Sequence, residues 1–369
     1  MRLARALVVA VALAGASNVA DAAPTVVAPR TASGFVIVPS PSRVASLADV
    51  AGLAPSDVWA VGANFPGGVH STLTMHWNGL GWSVVPSPNP SPSGNDELFS
   101  VDAAPDGTIW SVGDSFDLFQ GIALRWTGTR WRAYPVPADV GTLSSVKVFS
   151  RNDAWAVGEN SSVAASVIIH WNGTAWSDVV DAPLVGPRGY AMTGVDGAGP
   201  HDVYASGVAM FHGANRSFVE HWDGAVWTLV TTTPRMTDDF LLNTSVASRT
   251  EAWVVGSTGL QPAALHWNGA RWKTVNPPAA AGNHELSGVT DNSPTDAWAV
   301  GRRQNASAVE RTLIERWNGT TWADLGGPNA GGATDDNQLF AVTAIPGHPN
   351  DLWAVGAGPG GPLILHHPG

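Results

Sequence analysis

The stretch Asp57-Val58-Trp59-Ala60-Val61-Gly62, followed by His76-Trp77-Asn78-Gly79-Leu80-Gly81-Trp82, decides the fold, because the rest of the chain repeats it. The first half returns as TIWSVG at Trp110, DAWAVG at Trp155, DVYASG at Tyr204, EAWVVG at Trp253, DAWAVG at Trp298 and DLWAVG at Trp353. Subtracting successive anchor numbers gives spacings of 51, 45, 49, 49, 45 and 55 residues. The second half returns as RWTGTRW (Arg125–Trp131), HWNGTAW (His170–Trp176), HWDGAVW (His221–Trp227), HWNGARW (His266–Trp272) and RWNGTTW (Arg316–Trp322). All 18 tryptophans fall inside these motifs, so tryptophan is used here for packing and not for chemistry.

Each unit reads as four short strands. The first carries Leu-x-x-Val, as in Leu98–Val101, Leu143–Val146 and Leu339–Val342. The second is V-W-A-V-G, whose β-branched and aromatic residues suit a pleated, half-buried surface. A variable loop leads to the third strand. The Asn-Gly pair then predicts a tight hairpin, because both residues tolerate the positive φ such a turn demands. Four antiparallel strands at a period of about 40–50 residues predict a β-propeller blade.

The seventh unit stops after its third strand, Pro362-Leu363-Ile364-Leu365-His366-His367. The missing fourth strand lies near the other end of the chain. Gly34-Phe35-Val36-Ile37-Val38-Pro39 matches Gly81-Trp82-Ser83-Val84-Val85-Pro86, with Phe35 in the Trp slot. The expected fold is therefore an all-β, seven-bladed propeller of four-stranded antiparallel blades, its last blade closed by the N-terminal strand. Closure of this kind leaves only short, protected edges.

Residues 1–23 read as a secretory signal peptide: Arg2 and Arg5, then apolar Ala6–Ala14, then the A-x-A-like Ala20-Asp21-Ala22. Residues 24–369 read as one propeller domain, secreted to the extracellular space. No other run is long and apolar enough for a membrane span. The chain has no Cys, which excludes a disulfide framework and leaves stability to blade packing. Net charge is −11, and only two lysines occur, Lys147 and Lys273. That balance excludes nucleic acid as a partner, since such binding needs a basic footprint.

The repeats resemble those of secreted bacterial β-propeller repeat proteins over about residues 34–369. The W-N-G-x-x-W turn is similar to the Asp-box hairpin of sialidase-type propellers, with Asn usually in place of Asp. The resemblance extends distantly to kelch-type propellers. Some of those are copper enzymes that need a Cys–Tyr cross-link, which a chain without Cys cannot form. The resemblance implies a fold and no particular activity.

One acidic residue recurs two positions before the anchor aromatic: Asp57, Asp153, Asp202, Glu251, Asp296 and Asp351. One basic residue recurs before the third-strand Trp: His76, Arg125, His170, His221, His266 and Arg316. Spread once per blade around a ring, these cannot converge on one metal ion. They are expected to pair within each blade, resembling the Asp–His networks of tryptophan-aspartate repeat propellers.

Function is expected where the repeat breaks, at the channel mouth. The loops leading into the first strands carry Arg43, Asp96, Glu97, Arg188, Tyr190, Asp238, Asp239, Phe240, His284, Glu285, Asp335, Asp336 and Asn337. The loops after the VG pairs add Asp114, Glu159, Arg302 and Arg303. From these we select Asp96, Asp239, His284, Glu285, Asp336, Arg302 and Tyr190 as the ligand-binding set, with no catalytic residue and no metal ligand assigned. Blades five to seven each place a carboxylate on this rim. Solvated loop charge is one reading. A Ca²⁺ site is a second, and Ca²⁺ is the one cofactor such a rim suggests. An acid/base pair acting on a sugar is a third. The expected function is a non-enzymic, monomeric scaffold binding a protein or an extracellular glycan. The alternatives are a glycan-active enzyme, a glycoside hydrolase or lyase using Glu285 with Asp239 or Asp336, and a lectin with one site per blade.

Overall fold

The computed structural model describes residues 33–160, 163, 165–182, 188–211, 214–232, 239–279 and 281–369; for 188–190, 211, 231 and 232 it describes the backbone. Residues 1–23, where a signal peptide is expected, lie outside the described residues. The strands form seven four-stranded antiparallel sheets. Their first strands are Ala45–Ala54, Asp96–Ala103, Thr142–Ser150, Arg188–Gly199, Asp239–Ser248, His284–Ser293 and Gln338–Ile345. Each first strand touches those of the blades before and after it, and the first of blade one touches that of blade seven, so the ring is closed.

The closing strand sits as the sequence requires. Val36 pairs with His366 and Ile37 with Leu365, and the Val38 amide donates to the Ile364 carbonyl at 2.8 Å. Phe35 is fully buried between blades six and seven.

The tryptophans hold neighbouring blades together. Each outer-strand aromatic meets the anchor aromatic of the preceding blade edge-on. The pairs are Trp82 on Trp353, Trp131 on Trp59, Trp176 on Trp110, Trp227 on Trp155, Trp272 on Tyr204, Trp322 on Trp253 and Phe35 on Trp298, with centroids 4.9–5.9 Å apart. Third-strand aromatics add a second contact to the same anchor, as Trp77 does on Trp353 and Trp126 on Trp59. In blade seven His367 takes that place, 5.5 Å from Trp298. Edge-to-face pairs gain beyond area burial, because ring edges are positive and faces negative.

The VG glycine has a steric cause. At Gly62, Gly113, Gly158, Gly256, Gly301 and Gly356 a Cβ would stand 1.8–2.1 Å from a carbonyl oxygen of the first strand. The first strand slips register beside each of them, for example between Leu98 and Ser100 and between Leu286 and Gly288. That bulge pushes the carbonyl against the glycine and tightens the blade's twist.

First strands are sheet edges facing the channel, so their outward N–H groups need acceptors. The preceding blade supplies them. Asp49 Oδ2 accepts the Val101 N–H at 2.9 Å, Asp102 Oδ2 the Val148 N–H at 2.7 Å, and Asp196 Oδ2 the Val246 N–H at 2.7 Å. Ser145 and Asn243 serve Val195 and Val289 in the same way. Lys147 bridges Asp196 at 2.7 Å and Asp102 at 3.6 Å, tying blades two, three and four across the channel wall. Burial works against its ammonium charge, but the two carboxylates overcome that and raise its pKa.

Candidate functional site

The repeated His or Arg pairs with the repeated carboxylate in every blade that has both. His76–Asp57, His170–Asp153, His221–Asp202, His266–Glu251, Arg316–Asp296 and His366–Asp351 lie at 2.6–2.9 Å. Each imidazole also packs on its blade's anchor ring, most closely for His366 on Trp353 at 4.1 Å and 12°. The Trp59 and Trp253 indole N–H groups donate to Asp57 and Glu251. Blade two lacks the carboxylate, and there Arg125 lies 5.7 Å over Trp110. These groups form internal braces, one per blade, as their spacing implied.

The channel mouth, here called the top face, carries the loops leading into first strands and those linking second to third strands. Its rim residues fall into two columns. In one, the side chain caps its own connecting loop. Asp96 is fully buried, accepts the Ser91 N–H at 2.9 Å and has its pKa raised by burial. Asn337 holds Ala330 in the same way. Asp239 and His284 occupy equivalent positions and are buried. Burial, then the charge of Arg303, lowers the His284 pKa.

In the other column the side chain reaches across to a neighbouring strand or blade. Glu97 bonds to His70 of blade one, and this contact raises the His70 pKa. Thr142 of blade three donates to Asp114 of blade two at 3.0 Å. Arg302 donates to Glu310 at 2.8 Å and to Glu285 at 3.3 Å. Gln338 of blade seven bonds the second oxygen of Glu310. Burial raises the Glu310 pKa against the pull of Arg302. Asp336 is exposed and accepts the Glu310 N–H at 2.9 Å.

Of the selected residues the structure thus joins Glu285, Arg302 and, through Glu310, Asp336. Asp96 and Asp239 stand in other blades and are buried. Tyr190 lies on the first strand of blade four opposite Ala209, and its side chain, like Asp238, is outside the described residues. Among the described residues, no group of three or more His, Cys, Asp or Glu could hold a metal ion. Among the described residues, the carboxylates of blades five to seven do not come together as such a group. Glu310 and His70 were missed by the sequence reading. Both stand at or just before the start of the third strand, which in the other blades begins with Gln120, Ala165, Ala214, Gln261 or Gly361. A charge at that boundary was the available signal.

No protein-family model matches the chain, and no curated protein matches it in sequence. Solved structures match its fold: it is a seven-bladed propeller similar to YCF48-type and GH74-type propellers. A structure of YCF48 bound to D1 peptide is 17% identical with a TM-score of 0.57, over 90% of this chain and 94% of that one. YCF48 from Cyanidioschyzon merolae is 16% identical with a TM-score of 0.58, over 90% and 98%. The GH74 xyloglucanase from Xanthomonas campestris is 15% identical with a TM-score of 0.59, and the match covers 88% of this chain but 53% of the enzyme. Among the described residues, no helix is long and apolar enough to cross a membrane.

Proposed function

We propose that the protein is an exported, non-catalytic scaffold that holds another protein or a cell-surface polymer on its top face. The observation that carries this reading is the state of the rim. Glu97, Glu285 and Glu310 each spend their charge on a brace inside the ring. A general acid or base must reach the proton it moves, and these are already bonded to His70, Arg302 and Gln338. A YCF48 propeller with a bound peptide supports the same use of such a ring. The lectin alternative needs tryptophans open between blades; here the outer-strand tryptophans of blades one to four and six are buried against the preceding blade.

One arrangement favours the glycan-active alternative: Glu285 and Glu310 converge on one guanidinium, with the Glu310 pKa raised. A single experiment separates the readings. Purified protein is incubated with extracellular polysaccharides for release of reducing ends, and in parallel immobilised against the extracellular protein fraction. Saturable retention without turnover is expected. Turnover that Glu310→Gln abolishes would overturn the scaffold reading. Export is checked by N-terminal sequencing of the secreted protein, expected to begin just after the Ala20-Asp21-Ala22 site.

A further inference from the structure

We propose that the top edge of blade two is the docking site for a polypeptide presenting one large apolar side chain flanked by lysine or arginine. The inference deepens the scaffold reading and rests on it. The site begins with a cleft of about 240 Å³, lined by Pro90, Leu118, Gln120, Ile122, Tyr134 and Val136 among others. Pockets for drug-sized ligands run from roughly 300 Å³ upward, so this cleft suits a single side chain. Its lining contains no charged residue, so an apolar anchor fits it best.

The cleft is particular to blade two. Tyr134 stands three residues after the outer-strand Trp, where the other full repeats carry Val85, Val179, Val230, Val275 and Leu325. Gly121 lets blade three pack closely behind the third strand: a Cβ there would meet the Val140 side chain at 2.8 Å and that of Leu143 at 3.1 Å.

Beside the cleft the loop linking second and third strands carries Leu118 and Phe119, 47% and 61% exposed. Phe119 has a φ of +52°, a left-handed conformation that bulky side chains avoid and that gathers at ligand-binding positions. The loop is pinned at its base, because Asp117 accepts hydrogen bonds from Ser91, Ser93 and Asn95. A fixed apolar tip loses little freedom on binding. Exposed apolar tips continue on the same face with Val69 of blade one, Val163 of blade three, Met210 of blade four and Leu260 of blade five.

Charge sets the flanks of the partner. Asp117 precedes Leu118, and Asp139 stands exposed next to Val140, whose carbonyl accepts the Gly121 N–H at 2.9 Å. The chain as a whole carries −11. Exposed Arg132, two residues before Tyr134 on the outer strand, marks the one side that a basic residue would avoid. Complementary charge of this kind governs orientation and association rate.

The test uses two labelled twelve-residue peptides, one alternating Leu and Lys and one alternating Leu and Glu, in fluorescence anisotropy against the full protein. The lysine peptide should bind, weaken with salt, and lose at least tenfold in affinity with Leu118→Ser/Phe119→Ser. Leu260→Ser should change affinity less than twofold. All three side chains are exposed, so the variants keep their fold, checked by denaturation midpoint. No binding of the lysine peptide, equal binding of the glutamate peptide, or full binding by the double variant would each overturn the site. If the double variant still retains an extracellular protein that wild type retains, the site fails and the scaffold stands. Polysaccharide turnover would instead remove the scaffold reading itself.

Discussion

Phe35→Ala tests the closure of the ring. Phe35 is fully buried and packs with Trp298, Val300, Ile314 and Leu339, residues of blades six and seven. Its ring meets Trp298 at 5.9 Å and 75°, and the His367 ring at 5.4 Å. Truncating a buried Phe to Ala costs about 3–5 kcal/mol, from lost transfer energy plus the cavity left behind. The upper half of that range applies here, because the aromatic contacts add about 0.5–1.5 kcal/mol beyond area. The strand it anchors is short, so little else holds it: two paired residues and the Val38–Ile364 hydrogen bond. Phe35→Leu keeps most of the volume and should cost about 1–1.5 kcal/mol. Urea denaturation followed by tryptophan fluorescence compares the two with wild type, and hydrogen exchange at Val38 reports whether the strand stays docked. A Phe35→Ala loss below 1 kcal/mol, or one equal to that of Phe35→Leu, would show that this strand does not seal blade seven.

Three further outcomes follow from the braces and the buried acids. Glu251→Ala leaves half-buried His266 and the buried Trp253 N–H without their acceptor, and should cost about 2–4 kcal/mol in the same denaturation assay. Gly301→Ala drives a Cβ to 1.9 Å from the Glu285 carbonyl and should destabilise by about 2–3 kcal/mol or more, whereas Gly128→Ala at an open hairpin tip should cost about 1 kcal/mol. Stability should fall as pH rises from about 4 to about 8. Burial raises Asp49 and Glu220 to about 7 and Asp291 to about 8. Between their ordinary values and these, the unfolded chain is ionised while the folded chain holds the proton, so each rise in pH favours unfolding. His70 acts in the same sense, its raised pKa giving stability that is lost as pH climbs through it. For Glu220 the gap from 4.5 to about 7 corresponds to about 3 kcal/mol at most; Glu220→Gln should flatten the profile by a measurable part of that, read from denaturation midpoints at pH 5 and pH 8.

The repeat by itself determined the architecture. Seven anchor aromatics, the Asn-Gly hairpins and the match of Phe35–Val38 to an outer strand are local patterns, and periodicity in the chain maps directly onto blades in space. The pairing of His76 with Asp57, and of its copies, was legible for the same reason: partners recur at a fixed offset within one blade. Tertiary structure decided everything that joins one blade to the next. No local rule says that Trp82 belongs to the anchor of blade seven rather than to its own, that the VG glycine yields to a bulged carbonyl, or that Glu97 is consumed by His70 of the preceding blade. Contacts across blades depend on how each sheet twists against its neighbour, a relation between segments about fifty residues apart. The same reason hid the partners of the rim charges and the cleft of blade two, whose walls come from connecting loops and from the third and outer strands of the blade, brought together only by folding.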